Sequence, residues 1–112
     1  GGRYSVWSAV GLAVAVAIGP AAFTAFLSGA AAVDEHFAAS PLPFNIPVIM
    51  ALLQVWSVNF WGAQSQAILP YEQRLARLPA YLQQLEMESN GKQCTLSGQT
   101  VDYLTCPVIW GE

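Results

Sequence analysis

Charged residues are scarce in this sequence, and cysteines and basic residues are scarcer still. Four of the 112 residues are Lys or Arg, seven are Asp or Glu and two are Cys, so the net charge is −3. An acidic excess with no basic run argues against binding to nucleic acid or to an anionic membrane surface. Two cysteines cannot form a disulfide framework, so a reducing, cytoplasmic location is expected.

Two long windows contain no charged residue, one between Arg3 and Asp34 and one between Glu35 and Glu72. Glycine, proline or aspartate interrupts them, which leaves uncharged apolar runs of 13 or 14 residues. Such a run is about 20 Å long as a helix, whereas the hydrocarbon layer of a membrane is roughly 30 Å thick. We therefore expect helices buried in a larger protein body, with no membrane span. The first residues do not resemble a signal peptide.

Hydrophobic periodicity and turn residues predict a helix-rich α/β fold with a few short parallel strands and a small hairpin. The expected helices cover residues 5–18, 21–37 and 46–62, followed by one that includes Pro79 and ends at Asn90-Gly91. Strands are expected at 67–71 and 107–110, and the hairpin at 92–101. The first helix is apolar on every side, and so few strands cannot cover three such helices. The chain is therefore expected to be part of a larger fold.

Gln84 and Glu88 are the strongest candidates for chemistry in the last predicted helix. They are four residues apart and so share one helix face. Glu88 is expected at the edge of the apolar stripe and in the last helical turn, where partial burial and the helix dipole both disfavour its charge. That environment suits a general base near neutral pH. The alternative interpretation is a solvated surface carboxylate near a helix end.

Arginine, histidine and cysteine are three further residue types with a possible functional role. Arg3 follows two glycines and could hold an anion in its planar fork, and the alternative, which the residues by themselves favour, is a surface arginine. His36 is expected to form structural hydrogen bonds near a helix end, since no second histidine is available for a metal site. Cys94 and Cys106 lack CxxC spacing and are expected to be buried, reduced thiols.

Several longer motifs stand in order along the whole chain. They are Gly-Gly-Arg-Tyr-Ser-Val-Trp-Ser-Ala-Val-Gly-Leu at 1–12, Met-Ala-Leu-Leu at 50–53, Phe-Trp-Gly-Ala-Gln at 60–64, Ala-Ile-Leu-Pro-Tyr at 67–71, Ala-Tyr-Leu-Gln-Gln at 80–84, Met-Glu-Ser-Asn-Gly-Lys at 87–92, Val-Asp-Tyr at 101–103 and Pro-Val-Ile-Trp-Gly-Glu at 107–112. Together these motifs resemble the glucose-6-phosphate isomerase (phosphoglucose isomerase) family.

The resemblance implies a cofactor-free enzyme that interconverts glucose 6-phosphate and fructose 6-phosphate through a cis-enediol. The family's catalytic base matches Glu88, its substrate-contacting residue four positions earlier matches Gln84, and its arginine that stabilises the enediolate matches Arg3. The implied fold pairs two sugar-isomerase (SIS) domains. Residues 1–18 would end the first domain, 19–62 would be connecting helices, and 63–112 would begin the second.

The resemblance also implies parts of the site that these 112 residues do not contain. The family's phosphate-binding loop precedes the position of Arg3, its ring-opening histidine follows the Trp-Gly-Glu motif, and a late lysine lies further on. In the family homodimer that histidine reaches the partner's site. We therefore expect the 112 residues to be inactive alone. A non-catalytic interaction or secreted-factor role of the same fold is the alternative.

Overall fold

A computed structural model describes residues 2–112 and divides the chain into two units, one ending at Ala51 and the other spanning Leu52–Glu112. The helices and strands are, in chain order, α1 (Leu12–Ile18), α2 (Pro20–Ala39), α3 (Ile46–Asn59), β1 (Ser65–Ile68), α4 (Leu78–Leu82), α5 (Glu88–Asn90) and β2 (Val108–Gly111). Single 3₁₀ turns cover Gly2–Tyr4, Ala9–Gly11, Leu42–Phe44 and Gln73–Leu75. The expected helix-rich α/β class is confirmed.

The first unit begins with turns rather than with the helix expected from residue 5. The Ser8 hydroxyl donates a hydrogen bond to the Ser5 carbonyl at 2.7 Å, and a local side-chain bond of this kind competes with helix formation. The chain then turns so tightly that a Cβ at Gly11 would overlap the Val6 carbonyl oxygen. α1 therefore begins only at Leu12, and the expected start of this helix was wrong.

His36 joins the end of α2 to the start of α3. Its Nδ1 lies 3.0 Å from the Ser40 hydroxyl oxygen, and its Nε2 accepts a hydrogen bond from the Ile46 backbone N–H at 3.1 Å. An Nε2 that accepts leaves Nδ1 as the protonated nitrogen, which can donate to the Ser40 hydroxyl. The expectation of a structural histidine near a helix end is confirmed.

Asn45 is the buried polar residue of the same connection, with 2% of its surface exposed. Its amide nitrogen donates to the carbonyls of Phe37 at 2.8 Å and Ser40 at 3.3 Å. Its Oδ1 lies 3.4 Å from the Val48 backbone nitrogen, which donates to it in the first turn of α3. One amide side chain therefore ties the end of α2 to the start of α3.

The second unit contains a parallel two-stranded sheet. β1 and β2 pair from Ser65 opposite Val108 to Ile68 opposite Gly111. A Cβ at Gly111 would overlap the Ile68 carbonyl oxygen, so the close approach of the two strands requires glycine there. Parallel neighbours need a long crossover connection, and helical residues lie within it.

Those crossover residues form one helical run, here called segment 78–90. It consists of α4, a wider turn with i→i+5 hydrogen bonds at Gln83–Met87, and α5. Pro79 stands in the first turn, where its missing N–H costs no helical hydrogen bond. The segment ends before Gly91, as predicted from the Asn90-Gly91 pair.

The expected hairpin at 92–101 is reduced to one antiparallel bridge between Cys94 and Thr100. Gly98 has a φ of +81° in the turn between them, a conformation that glycine adopts without strain. Thr95 and Ser97 join their hydroxyls at 2.8 Å within that turn. Backbone hydrogen bonds from Thr95 to the Gln99 carbonyl at 2.8 Å and from Val101 to the Gln93 carbonyl at 3.0 Å flank the bridge, so the hairpin is present but short.

Few apolar side chains are buried within the described residues. Val58 and Ile109, each 4% exposed, are the buried apolar side chains of the second unit's core. Large side chains of the first three helices, such as Val16 and Leu52, are well over half exposed, so these 112 residues do not cover the helices by themselves, as expected for part of a larger fold. In residues 2–112, every helix falls short of the length or the apolar character that crossing a membrane requires.

Candidate active site

Segment 78–90 brings two of the three candidate residues together. Gln84 lies in the wider turn, and Glu88 begins α5 one turn later, so an amide and a carboxylate stand close along one helical run. Both side chains are exposed, which makes the expected partial burial of Glu88 wrong for this chain. An exposed carboxylate beside an amide can accept a proton from a ligand that the amide helps to hold.

The wider turn is attached to the middle of β2. Gln83 donates from its amide nitrogen to the Ile109 carbonyl at 2.9 Å, and the Ile109 backbone N–H donates to the Met87 sulfur at 3.4 Å. Two side chains from opposite ends of the turn thus bind both polar backbone groups of one buried strand residue. This contact fixes the turn against the sheet.

Glu86 attaches the same turn to α3. Its Oε1 accepts a hydrogen bond from the Gln54 amide at 2.8 Å and another from the Asn90 amide at 2.8 Å. Glu86 and Gln54 are both half-buried. A charged acceptor makes stronger hydrogen bonds than a neutral one, so the Glu86 carboxylate connects segment 78–90 strongly to α3.

The C-terminal end of the segment is closed by Lys92. Its ammonium donates to the Glu88 carbonyl at 2.8 Å, which satisfies a helix-terminal acceptor and places a cation at the negative end of the helix. The Lys92 backbone exchanges two hydrogen bonds with the Thr105 hydroxyl, both at 3.0 Å. A Cβ at Gly91 would lie 2.5 Å from the Met87 carbonyl oxygen, which explains why a glycine follows the last residue of segment 78–90.

Arg3, the third candidate, belongs to the first unit. It lies in the 3₁₀ turn Gly2–Tyr4, and its guanidinium carbon is 5.1 Å from the centre of the Tyr4 ring. This distance is within the range of a cation–π contact. The side chain is half-buried, so the turn and the ring restrict where the guanidinium can point.

Two other features of the second unit bear on the site, a loop cavity and the cysteine thiols. A cavity of about 540 Å³ is lined by residues 69–73, Ala76 and Glu112, and neither Gln84 nor Glu88 belongs to its lining. Cys94 is exposed and Cys106 is half-buried, so the expectation of a buried thiol was wrong for Cys94. Burial, and then the negative charge of Glu86, raise the pKa of the Cys106 thiol, which disfavours a nucleophilic thiolate. Within residues 2–112, no three His, Cys, Asp or Glu side chains group closely enough to hold a metal ion.

The sequence analysis did not identify the residues whose hydrogen bonds hold segment 78–90 in place. They are Gln54, Gln83, Glu86, Met87 and Lys92. The bond between Glu86 and Asn90 joins residues four apart and could have been proposed from helical spacing. The bond between Gln54 and Glu86 spans 32 residues, and no local pattern indicates it.

All 112 residues of this chain, segment 78–90 included, match one class of protein. A protein-family model described as phosphoglucose isomerase matches residues 1–112. The chain belongs to the phosphoglucose isomerase family.

Particular relatives agree with that assignment. The chain is 59% identical over 112 residues to a glucose-6-phosphate isomerase of Leptothrix cholodnii and 60% identical to one of Chlorobium luteolum. These alignments cover 100% of this chain and 21% and 20% of the two relatives. A crystal structure of a glucose-6-phosphate isomerase from Chlamydia trachomatis matches 100% of this chain and 22% of that chain, with 42% identity and a TM-score of 0.92. The chain thus spans about a fifth of the length of these relatives.

Proposed function

We propose that this chain carries the catalytic-base segment of a longer enzyme that interconverts glucose 6-phosphate and fructose 6-phosphate. The observation that supports it best is segment 78–90, which presents Gln84 and Glu88 on an exposed surface while Gln83, Glu86 and Met87 hold the helix to the rest of the second unit. Membership of the phosphoglucose isomerase family supports the substrate and the reaction.

The proposed chemistry needs a base, a cation and a positioning group. The Glu88 carboxylate takes the proton from C2 of the open-chain aldose, and the electrons of the C–H bond form the enediol double bond. The C1 carbonyl oxygen takes the negative charge of the enediolate. Glu88 then returns the proton to C1, while the proton of the C2 hydroxyl passes to the C1 oxygen, so that C1 carries the alcohol and C2 the ketone carbonyl. The Arg3 guanidinium stabilises negative charge on the enediolate oxygen, and the Gln84 amide holds a substrate hydroxyl. No redox change and no cofactor are required.

The proposal also covers the domain organisation, the oligomeric state and the location of the whole protein. Residues 1–18 would end a first sugar-isomerase domain, 19–62 would connect, and 63–112 would begin a second. The whole protein would act as a cytoplasmic homodimer, a location supported by the free thiols of Cys94 and Cys106. The 112 residues alone would be inactive, since positioning of the whole substrate supplies much of such a rate enhancement.

The test uses a chimeric isomerase, in which residues 1–112 replace the matched 112 residues of the Leptothrix cholodnii relative. Formation of glucose 6-phosphate from fructose 6-phosphate is followed by a coupled assay, beside incorporation of solvent deuterium at C2. We expect Glu88→Gln to lower kcat roughly a hundredfold or more, the usual contribution of a general base. The matched control, Glu35→Gln on the exposed surface of α2, should leave kcat unchanged.

Three results would decide the roles. A folded but inert chimera would contradict the proposed reaction and favour a non-catalytic role. An active chimera that Glu88→Gln leaves unaffected would contradict the assignment of the base. Arg3→Ala should lower kcat, whereas Gln84→Ala should chiefly raise KM, because the first group acts on developing charge and the second on bound substrate.

A further inference from the structure

The wider turn at Gln83–Met87 is the unusual feature of segment 78–90. Turns with i→i+5 hydrogen bonds are rare, and inside helices they occur frequently at functional sites. If this turn relaxed to ordinary α-helical spacing, the residues after it would rotate by about one helical position, roughly 100°. Glu88 immediately follows the turn, so the direction of its carboxylate depends on the turn being kept.

Glu86 is the residue best placed to keep it. It lies inside the turn and two positions before Glu88, and residues two apart on a helix face roughly opposite sides. Burial agrees with this, because Glu86 is half-buried and Glu88 is exposed. The Oε1 of Glu86 accepts from Gln54 on α3 and from Asn90 beyond the turn, each at 2.8 Å. One bond joins the turn to the helix end that follows it, and the other connects the turn to a neighbouring helix.

We propose that Glu86, held by Gln54, is a positioning residue that sets the orientation of Glu88 for proton transfer. This inference rests on the proposed function. It adds a residue that takes no part in the reaction itself, in which Glu88, Arg3 and Gln84 act on the substrate. Glu86 does not contact the substrate. It acts by fixing the rotation of the helix that carries the base, and a small misplacement of a reacting group can lower a rate by about a hundredfold.

The proposal can be tested in the chimeric isomerase by exchanging the donor and the acceptor of the hydrogen bond between Gln54 and Glu86. Gln54→Glu places a second carboxylate against Glu86, and the bond is replaced by repulsion. The double variant Gln54→Glu/Glu86→Gln restores it, because the new glutamine can donate to position 54 and still accept from Asn90 through its amide oxygen. Gln99→Glu, an exposed Gln-to-Glu change in the turn after Cys94, is the matched control for added charge.

We expect Gln54→Glu to lower kcat roughly tenfold to a hundredfold while KM for fructose 6-phosphate changes by less than about twofold. The double variant should recover kcat to within about threefold of the unmodified chimera, and the control should match it. Circular dichroism and the unfolding temperature show whether each variant is folded. If Gln54→Glu does not fold, Glu86→Ala, which removes both bonds without adding repulsion, takes its place and should show the same loss in kcat.

The proposal is overturned if the folded Gln54→Glu variant has an unchanged kcat. If Gln54→Glu does not fold, an unchanged kcat in folded Glu86→Ala overturns it instead. A loss that the double variant does not recover would overturn it as well, since only a specific bond is rescued by reversal. Glu88→Gln, measured in parallel, separates the two levels of inference. If Glu88→Gln abolishes activity while the Gln54 and Glu86 variants have no effect, the positioning role alone fails. If Glu88→Gln has no effect, the proposed base fails first.

Discussion

Replacing Asn45 by alanine should destabilise the protein far more than the same change at Asn59. Asn59 also makes side-chain bonds to distant backbone, since its amide donates to the Leu104 carbonyl and its Oδ1 accepts from the Leu104 N–H, both at 2.9 Å. The two asparagines differ in burial, because Asn45 is 2% exposed and Asn59 is exposed. Water can replace the lost bonds at Asn59 but reaches those at Asn45 poorly.

The expected magnitude follows from the three contacts of Asn45. The 2.8 Å bond to the Phe37 carbonyl is worth about 0.5–1.5 kcal/mol net, and loss of a helix N-cap typically costs about 1 kcal/mol. That N-cap contact is the 3.4 Å one with Val48, and the remaining contact, 3.3 Å from the Ser40 carbonyl, is longer than an ordinary hydrogen bond and adds less. With the penalty for unsatisfied buried groups, Asn45→Ala should cost about 2–3 kcal/mol, and Asn59→Ala about 0–1 kcal/mol.

Equilibrium urea unfolding of the chimeric isomerase, followed by far-UV circular dichroism, measures both free-energy changes under one condition. Asn45→Asp is a useful third variant, because it keeps the acceptor for Val48 and replaces the two donors by a buried carboxylate. We expect it to be at least as destabilising as Asn45→Ala at neutral pH. A cost for Asn45→Ala no larger than that for Asn59→Ala would refute the reasoning from burial.

Two further outcomes are expected in the same chimera. Because burial and then the charge of Glu86 raise the pKa of the Cys106 thiol, its alkylation by iodoacetamide should be slow at neutral pH and accelerate as pH rises. Glu86→Gln should shift that acceleration to lower pH, and an unchanged profile would contradict the contribution of that charge. Gly111→Ala should lower stability by several kcal/mol in urea unfolding, since its Cβ would overlap the Ile68 carbonyl. Gly62→Ala, with open space but a φ of +70°, should cost only about 1 kcal/mol, and equal costs would contradict the steric argument.

Local patterns predicted the elements whose signals lie within a few residues. Pro20 after Gly19 predicted the start of α2, and Asn90-Gly91 predicted the end of segment 78–90. The same reasoning failed at residues 5–11, where side-chain bonds to the backbone compete with the helix that the apolar pattern favours. It also placed Glu88 in partly buried surroundings, because helical spacing gives a direction but not the neighbour on that side.

The sequence by itself determined the helix-rich α/β class, the four-residue spacing of Gln84 and Glu88, and the motifs by which the family is recognised. These depend on backbone propensity, periodicity and residue identity, which are local properties. Only the tertiary structure decided that Gln54 meets Glu86 and that Gln83 and Met87 bind both sides of Ile109. Such contacts join residues 22 to 32 positions apart, and their pairing is set by how helices and strands pack rather than by any pattern along the chain.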